Sequence, residues 1–562
     1  MRIFIALIAF GYSIGLLAQQ PLTYNKYWVQ FKNKNGTPYS ISQPEAFLSA
    51  KAIERRQLYN IAITETDLPI NPAYLQAVKD IGVNVLYASK WFNGVVVQIS
   101  DSTELVQIGM LPFVNTSKPV SMQKPKAPKM SNNNGLAMSK KTKLSVVLTE
   151  DTQTQTSSGD VYYGTAFHQI NMLVGDYLHA HGYKGEGMTV GVLDAGFVNV
   201  DINPAFETMR NEGRLLGSHD FVDGDSNVFE SSEHGANVLS IMAADLPGTY
   251  VGSAPKANYW LLRTEFANTE TLIEEYNWAA GAEFADSVGV DVINSSLGYS
   301  TFDYPDMNHT YADLDGNKTI ITKAADIAAQ KGILVVTSAG NLGGQDWHYI
   351  SAPADADSIL TVGAVDSSAV IGYFSSNGPT ADGRVKPNVV GQGVMTAYVN
   401  VGGNTSAGNG TSYSSPLMAG LVTCLWQSNR NKNNMSIIHE VERSSNLFDN
   451  PNGEYGHGLP NFYKSMMALN SYPNTQDNRS FLYPNPFNTE LNVYYYAPSN
   501  GLVKLEFMDV SGRVFSTQQQ EVYSNIPYRF TFNEWQNLAR GVYFVRINNA
   551  NGQQILKAMK VD

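Results

Sequence analysis

The sequence predicts a doubly wound, mainly parallel α/β domain with helices on both faces, preceded by a small ferredoxin-like α/β module and followed by a small β-sandwich. Three observations predict it. Between residues 161 and 472 short apolar runs alternate with helix-length amphipathic segments, which is the pattern of parallel strands joined by helical crossovers. Before residue 114 a single β-α-α-β-β-α pattern stands apart, and after about residue 472 helical periodicity gives way to short alternating strands. The 562 residues include a single cysteine, Cys424, which excludes a disulfide framework or a Cys-rich metal site within one chain. Hydroxyls, carboxylates, imidazoles and amides must therefore supply any chemistry.

Residues 1–18 read as a secretory signal, with Arg2 as the only early charge, an apolar run over 3–17 and a small residue, Ala18, after which cleavage is expected. The run is shorter than the ~20 residues a membrane span needs. No later segment is apolar enough to span, so the mature chain is expected to carry no membrane span.

Residues 19–114 form the first module: strand-like Tyr27-Trp28-Val29-Gln30-Phe31, amphipathic 43–58 and 71–81, strand-like 84–89 and 91–100, and a last short helix. Residues 115–160 are rich in Ser, Thr, Asn, Gln, Lys and Pro and read as a linker. Its basic cluster, Lys124-Pro125-Lys126-Ala127-Pro128-Lys129, reads as a solvated tether.

In the domain over 161–472, strands are predicted at 188–193, 257–262, 290–294, 332–337 and 359–365, and helices at 234–244, 269–287, 319–331 and 412–427. Sites in such sheets form at the carboxyl ends of the strands. Residues 473–562 carry alternating segments at 490–496, 502–510, 513–516 and 541–548, separated by turns such as Asp509-Val510-Ser511-Gly512.

The net charge of −12 divides unevenly: +5 over 19–160, −19 over 161–472 and +1 over 473–562. The acidic middle disfavours nucleic acid as a partner. All nine histidines lie in it.

Three segments there have the groups needed to activate a hydroxyl nucleophile. Asp194 ends the run Thr189-Val190-Gly191-Val192-Leu193-Asp194, His234 opens a helix after Ser232-Glu233, and Ser412 opens another within Gly410-Thr411-Ser412. A base must take the serine proton while a carboxylate holds the base's tautomer and stabilises its charged form, and these three residues supply that set. Thr337-Ser338-Ala339-Gly340-Asn341 ends a further strand with an amide donor, so Asn341 can join the Ser412 backbone N–H around an oxyanion.

With these motifs in the order Asp, His, Ser, and with Gly185-Glu186-Gly187 and Tyr455-Gly456-His457-Gly458 flanking them, the segment 161–470 resembles the subtilisin-like serine peptidase family. The resemblance implies a secreted endopeptidase that acts through an acyl-enzyme at Ser412. It also implies that Ser296-Leu297-Gly298 and Ser338-Ala339-Gly340 line the substrate cleft as backbone edges, where a peptide adds as an extended strand. Ala236-Asn237 after His234-Gly235, Tyr413-Ser414 after the serine and Leu417-Met418 after Pro416 depart from the commoner residues and bear on cleft shape.

The first module resembles the propeptide of the same family, an intramolecular inhibitor expected to be cut away within 115–160. Its positive charge suits a negatively charged partner. The last ninety residues resemble the sorting domains of Bacteroidetes proteins exported by the type IX secretion system, through Pro484-Asn485-Pro486, Val510-Ser511-Gly512-Arg513, Gly541-Val542-Tyr543-Phe544-Val545 and the closing 557–561. That implies passage through the periplasm to the medium or the cell surface. A silent surface binding or adhesion protein on the same scaffold, or a processing protease with one dedicated substrate, are the alternatives.

The chemistry requires no cofactor. Two acidic loops, Asp220-Phe221-Val222-Asp223-Gly224-Asp225 and Asp313-Leu314-Asp315-Gly316-Asn317, have oxygen donors suited to structural calcium, neither at EF-hand spacing. Cys424, His179, His181 and His219 read as packing or surface residues.

Overall fold

A computed structural model describes residues 23–123, 162–469, 480–483, 485–488, 491–497, 499–522, 527–533 and 538–561. The expected signal at 1–18 and the linker from 124 to 160 lie outside the described residues.

The first module runs β1 (Thr23–Phe31), α1 (Ala50–Leu58), α2 (Pro72–Lys79), β2 (Asn84–Ser89), β3 (Gly94–Gln98), α3 (Ser102–Met110) and β4 (Val114–Gln123). Its antiparallel sheet has the order β2-β3-β1-β4, a ferredoxin-like arrangement with a second helix in the first crossover. Helix α1 starts later than its periodicity suggests because the Ser49 hydroxyl caps it, accepting from the Ala52 N–H. The expected linker start at 115 is corrected: residues 114–123 are β4, paired with β1 through Trp28↔Lys118 and Tyr27↔Pro119. This edge strand is mostly polar and includes a proline, so only its pairing with β1 reveals it.

The middle domain contains β5 (Thr189–Asp194), β6 (Leu215–Asp220), α4 (His234–Ala243), β7 (Asn258–Arg263), α5 (Ile273–Val288), β8 (Val292–Ser295), α6 (Ile320–Gln330), β9 (Leu334–Ser338), β10 (Leu360–Val365), β11 (Val389–Gln392) and α7 (Thr411–Gln427). Seven strands, all pairs parallel, take the order β11-β10-β9-β8-β5-β7-β6. The edge strands β6 and β11 escape sequence reading, the first because Gly217-Ser218-His219-Asp220 is polar and the second because it is short. Strand alternation sends Val190, Val192, Val292, Leu334 and Val336 to the core shared with α4 and α7, and Leu193, Ile293 and Val335 to the core shared with α5 and α6. Central β5 has β7 on one side and β8 on the other, so the order reverses there and a crevice opens at its carboxyl end.

The first module docks on α5. Alternate residues of its sheet point two ways: Val29, Phe31, Val95 and Val97 pack on its own helices, whereas Trp28 and Val96, with Trp91 from the turn between β2 and β3, join the core that holds Tyr276 and Ala279. Charged groups close the edge of this contact. The Arg55 and Arg56 guanidiniums both reach the Asp286 carboxylate, at 2.6 and 2.9 Å, and all three side chains are at most 2% exposed. Arg56 also pairs with Asp67 at 2.8 Å, to which Lys331 of the middle domain comes within 2.7 Å. The Ser89 hydroxyl and the N–H groups of Lys90 and Trp91 all donate to the Glu283 carboxylate.

The last region comprises β12 (Phe481–Tyr483), β13 (Leu491–Tyr496), β14 (Gly501–Asp509), β15 (Val514–Val522), β16 (Pro527–Phe532), β17 (Gly541–Asn549) and β18 (Gly552–Lys560). Two antiparallel sheets, β12-β13-β16 and β15-β14-β17-β18, enclose Leu491, Val493, Val503, Leu505, Phe507, Val545 and Ile547, the expected sandwich. Asn485 fastens the last strand, donating to the Lys557 carbonyl (2.9 Å) and accepting from the Met559 N–H (2.8 Å). No helix among the described residues is long and apolar enough to cross a membrane.

Candidate active site

Asp194 ends β5, whose six residues are all buried, and its side chain is fully buried. The Ala195 N–H donates to its Oδ1 (2.7 Å), and the same oxygen lies 2.8 Å from His234 Nδ1. His234 is the first residue of α4, with its own N–H donating to Ser232 Oγ at 3.2 Å. Gly235 makes the approach possible: a Cβ there would lie 2.5 Å from the Gly196 carbonyl oxygen and 2.9 Å from Asp194 Cβ. Any side chain would push the helix start off the strand end. The His234 ring is 26% exposed, so one edge faces the buried carboxylate and the other the crevice.

Ser412 lies in the first turn of α7. Pro416, four residues on, has no N–H to give the Ser412 carbonyl, and the Ser296 hydroxyl replaces it, donating at 3.0 Å. In return the Ser412 hydroxyl donates to the Ser296 carbonyl at 3.3 Å and not to the His234 ring. The segment after β8 therefore grips the serine from both sides. The Ser415 hydroxyl adds a bond to Asn294 Oδ1 (2.9 Å), tying β8 to the same turn.

Asn341 is held by Thr411. The Thr411 N–H and hydroxyl donate to Asn341 Oδ1 at 2.8 and 3.0 Å, and the hydroxyl accepts from the Gly340 N–H at 3.2 Å. Two donors on one oxygen settle which way the amide faces, leaving Nδ2 as the outward donor. A Cβ on Gly410 would stand 3.7 Å from Asn341 Nδ2 and 3.6 Å from the Ser412 nitrogen, so glycine keeps the space between these donors open.

The four residues predicted from sequence thus gather at the carboxyl ends of β5 and β9 and the amino ends of α4 and α7. The six cleft residues divide. Gly298 is exposed and Gly340 half-buried, whereas Ser296, Leu297, Ser338 and Ala339 are buried. The Ala339 N–H donates to the Val362 carbonyl, so it is not available to a peptide, and its own carbonyl accepts from the Ser351 N–H. Sequence reading assigned no part to Thr411, Gly235 or the Ser296 side chain, although all three lie in the quoted motifs. Their parts depend on what the fold sets opposite them.

Of the departures, Tyr413 stacks on Tyr398 with ring centres 5.2 Å apart, and Gly408 makes room, since a Cβ there would come 2.7 Å from the Tyr413 ring. Leu417 and Met418 are fully buried in the core of α7. In each acidic loop two carboxylates face a basic side chain of the chain itself. Buried Asp220 accepts from the N–H groups of Val222 and Asp223 and pairs with Arg263 at 2.6 Å, as does Asp223 at 2.5 Å. Asp313 caps a turn by accepting from the Thr310 N–H and hydroxyl, and Lys318 stands 3.6 Å away. Among the described residues no three His, Cys, Asp or Glu side chains are placed to hold a metal ion. Buried Cys424 has its thiol pushed well up by burial, and burial brings His179 down to about 4, which leaves both neutral.

Comparison with known proteins agrees with this division of the chain. Residues 26–135 match the peptidase S8 propeptide domain of Bacteroidota, residues 185–458 the subtilase family, and residues 481–561 the secretion system C-terminal sorting domain. Subtilisin DY of Bacillus licheniformis is 30% identical over 267 residues, which cover 46% of this chain and 84% of that protein. Subtilisin E of Bacillus subtilis (strain 168) is 29% identical over 296 residues, 52% of this chain and 69% of that one. Serine protease AprX of the same strain is 28% identical over 277 residues, 44% and 58% of the two chains.

Proposed function

Because the chain belongs to the subtilase family and is a secreted serine endopeptidase with a propeptide and a sorting domain, we propose that Asp194, His234 and Ser412 are its catalytic triad. Ser412 attacks the scissile carbonyl, His234 takes its proton and returns it to the leaving amine, and Asp194 holds the ring and stabilises its charged form. The observation that carries this reading is the 2.8 Å contact between fully buried Asp194 and His234 Nδ1, which leaves Nε2 turned to the crevice. A rotation about the Cα–Cβ bond of Ser412 exchanges its bond to the Ser296 carbonyl for one to that nitrogen. The resulting acyl-enzyme is hydrolysed by water through the same base. A fluorophosphonate probe should label the mature enzyme at Ser412, and absence of labelling in folded protein would refute the assignment and favour a silent binding protein.

Asn341 Nδ2 and the Ser412 N–H form the oxyanion hole. Asn341→Ala should lower kcat about 10²–10³-fold, a figure taken from the corresponding subtilisin donor, with KM little changed. A kcat within threefold of the parent would exclude the amide from this role. Ser296–Gly298 provides the edge along which peptide adds, and Ser338–Gly340 the opposing wall.

The propeptide inhibits in the same chain and leaves after cleavage in the segment beyond β4, and the signal over 1–18 and the sorting domain carry the enzyme through the periplasm and out of the cell. Its hold on α5 depends on pH through Glu283. Burial pushes that carboxyl up to about 7 from an ordinary 4.5, outweighing the opposing pull of its three donors. A group raised in the complex favours binding at low pH, so this contribution is full below about 4.5 and fades as pH rises through 7. Asp286 and Asp67 are lowered despite their burial, by the Arg and Lys groups around them, and their share stays intact across the same range. Cleaved propeptide should separate faster near pH 8 than near pH 5.5 on size-exclusion chromatography, and Glu283→Gln should flatten the difference. An equal rate at both values in the parent would contradict the assignment.

A further inference from the structure

One group of buried polar atoms has no part in the reaction above. Glu265 stands two residues past β7, Glu270 five further on, and Glu274 in the first turn of α5. Glu274 is fully buried, Glu265 is 4% exposed and Glu270 is half-buried at the rim. Burial, then the charges of Glu270 and Glu265, push the Glu274 carboxyl well up, so the three carboxyls share one neighbourhood. The Thr271 N–H donates to Glu274 Oε2 at 3.2 Å and the Phe266 N–H also faces the carboxyl, while Oε1 has no hydrogen bond of full geometry among the described residues.

A second element contributes an orphan to the same place. The Tyr299 side chain is fully buried, its hydroxyl is without a hydrogen-bond partner among the described residues, and after burial the charges acting on it are those of Glu265, Glu274, Glu270 and Glu275. Buried polar atoms left unpaired are costly and mark a place where a ligand group completes the set.

The location is the cleft. Tyr299 directly follows Gly298, the exposed residue of the peptide-binding edge. The Thr264 N–H donates to the Asp194 carbonyl at 3.0 Å, which sets Glu265 one residue from a contact with the triad strand. The charge calls for a cation, and no metal-binding group of three is formed among the described residues. The propeptide's Lys26 feels this corner: burial lowers it, while the charges of Asp223 and then Glu274 favour its charged form. Lys26 departs with the propeptide.

We propose that Glu265, Glu270 and Glu274, with the Tyr299 hydroxyl, form a subsite for a lysine or arginine side chain of a peptide bound along Ser296–Gly298. The cationic group donates to the unpaired Glu274 oxygen and the tyrosine oxygen and relieves the repulsion among the carboxylates. The proposal rests on the endopeptidase reading and narrows its substrate class to peptides with a basic residue near the cut.

The test uses mature enzyme and fluorogenic peptides that carry lysine, arginine, norleucine or glutamine in turn at each position on either side of the cleaved bond. Rates are normalised to active sites titrated with a fluorophosphonate. At one position lysine or arginine should raise kcat/KM at least tenfold over norleucine. Glu270→Gln and Glu265→Gln should each cut that ratio at least tenfold, and Glu270→Lys should invert it. Cleavage of neutral peptides with no basic preference at any position, or a preference that survives both glutamine variants, refutes the subsite alone. An enzyme that titrates but cuts none of the peptides refutes the endopeptidase reading and the subsite with it.

Discussion

Ser412→Ala is expected to lower turnover about a million-fold, the size of loss known for the subtilisin nucleophile, from which the figure is taken. The loss has a simple cause. Alanine leaves no oxygen to form the acyl bond, and what survives is the smaller acceleration from substrate binding and the Asn341 and Ser412 N–H donors. Because the nucleophile and base act as a unit, His234→Ala should cost about as much, and the double variant little more. The serine variant should also accumulate as a precursor with its propeptide uncut, provided that the cut is made by the same chain. The measurements are kcat on a fluorogenic peptide and the size of the secreted protein on a denaturing gel. A variant within tenfold of the parent would overturn the triad.

Asp286→Ala is expected to loosen the propeptide by between a hundredfold and a few thousandfold. The parent carboxylate receives two guanidiniums, Arg55 at 2.6 Å and Arg56 at 2.9 Å, in a setting at most 2% exposed. Removing one partner of a buried pair leaves uncompensated charge, at about 3–5 kcal/mol, and each 1.4 kcal/mol is about tenfold in affinity. Arg56 has only Asp67 left to pair with, and its Nε and Nη1 already lack partners among the described residues. The check is the dissociation constant of cleaved propeptide for the Asp286→Ala enzyme, alongside the Tm of the mature enzyme, where the residue no longer faces the arginines. A loss below tenfold would mean that the apolar face of Trp28 and Trp91 holds the module alone.

Much of the fold is legible in sequence where burial on both faces forces a continuous apolar run. The strands ending at Asp194, Ser295, Ser338 and Val365 fall within two residues of their expected positions, as does the start of α7. Elements at sheet edges are not legible in that way. β4 is polar over most of its length, and β6 ends in Gly-Ser-His-Asp, because each is completed by hydrogen bonds from one neighbour and has no apolar signature of its own. The acidic loops show the converse. Their composition suggests calcium donors, yet Arg263 takes the charge of one and Lys318 stands by the carboxylates of the other, whose Asp313 is also held by a threonine cap, arrangements that composition cannot express.

By itself the sequence determined the order of the three regions, the choice of Asp194, His234, Asn341 and Ser412 as candidates, and the opposite charges of propeptide and peptidase, all of which are local or additive properties of the chain. Tertiary structure alone decided what those residues face. Gly235 lets a helix start reach within 2.8 Å of a strand end, Thr411 turns the Asn341 amide outward, and Ser296 replaces the N–H that Pro416 lacks. The same holds for Glu274 and Tyr299, 25 positions apart in sequence and brought to one buried corner by neighbouring elements. Proximity of this kind comes from strand order and helix packing, which bring distant segments together, and no residue carries it alone.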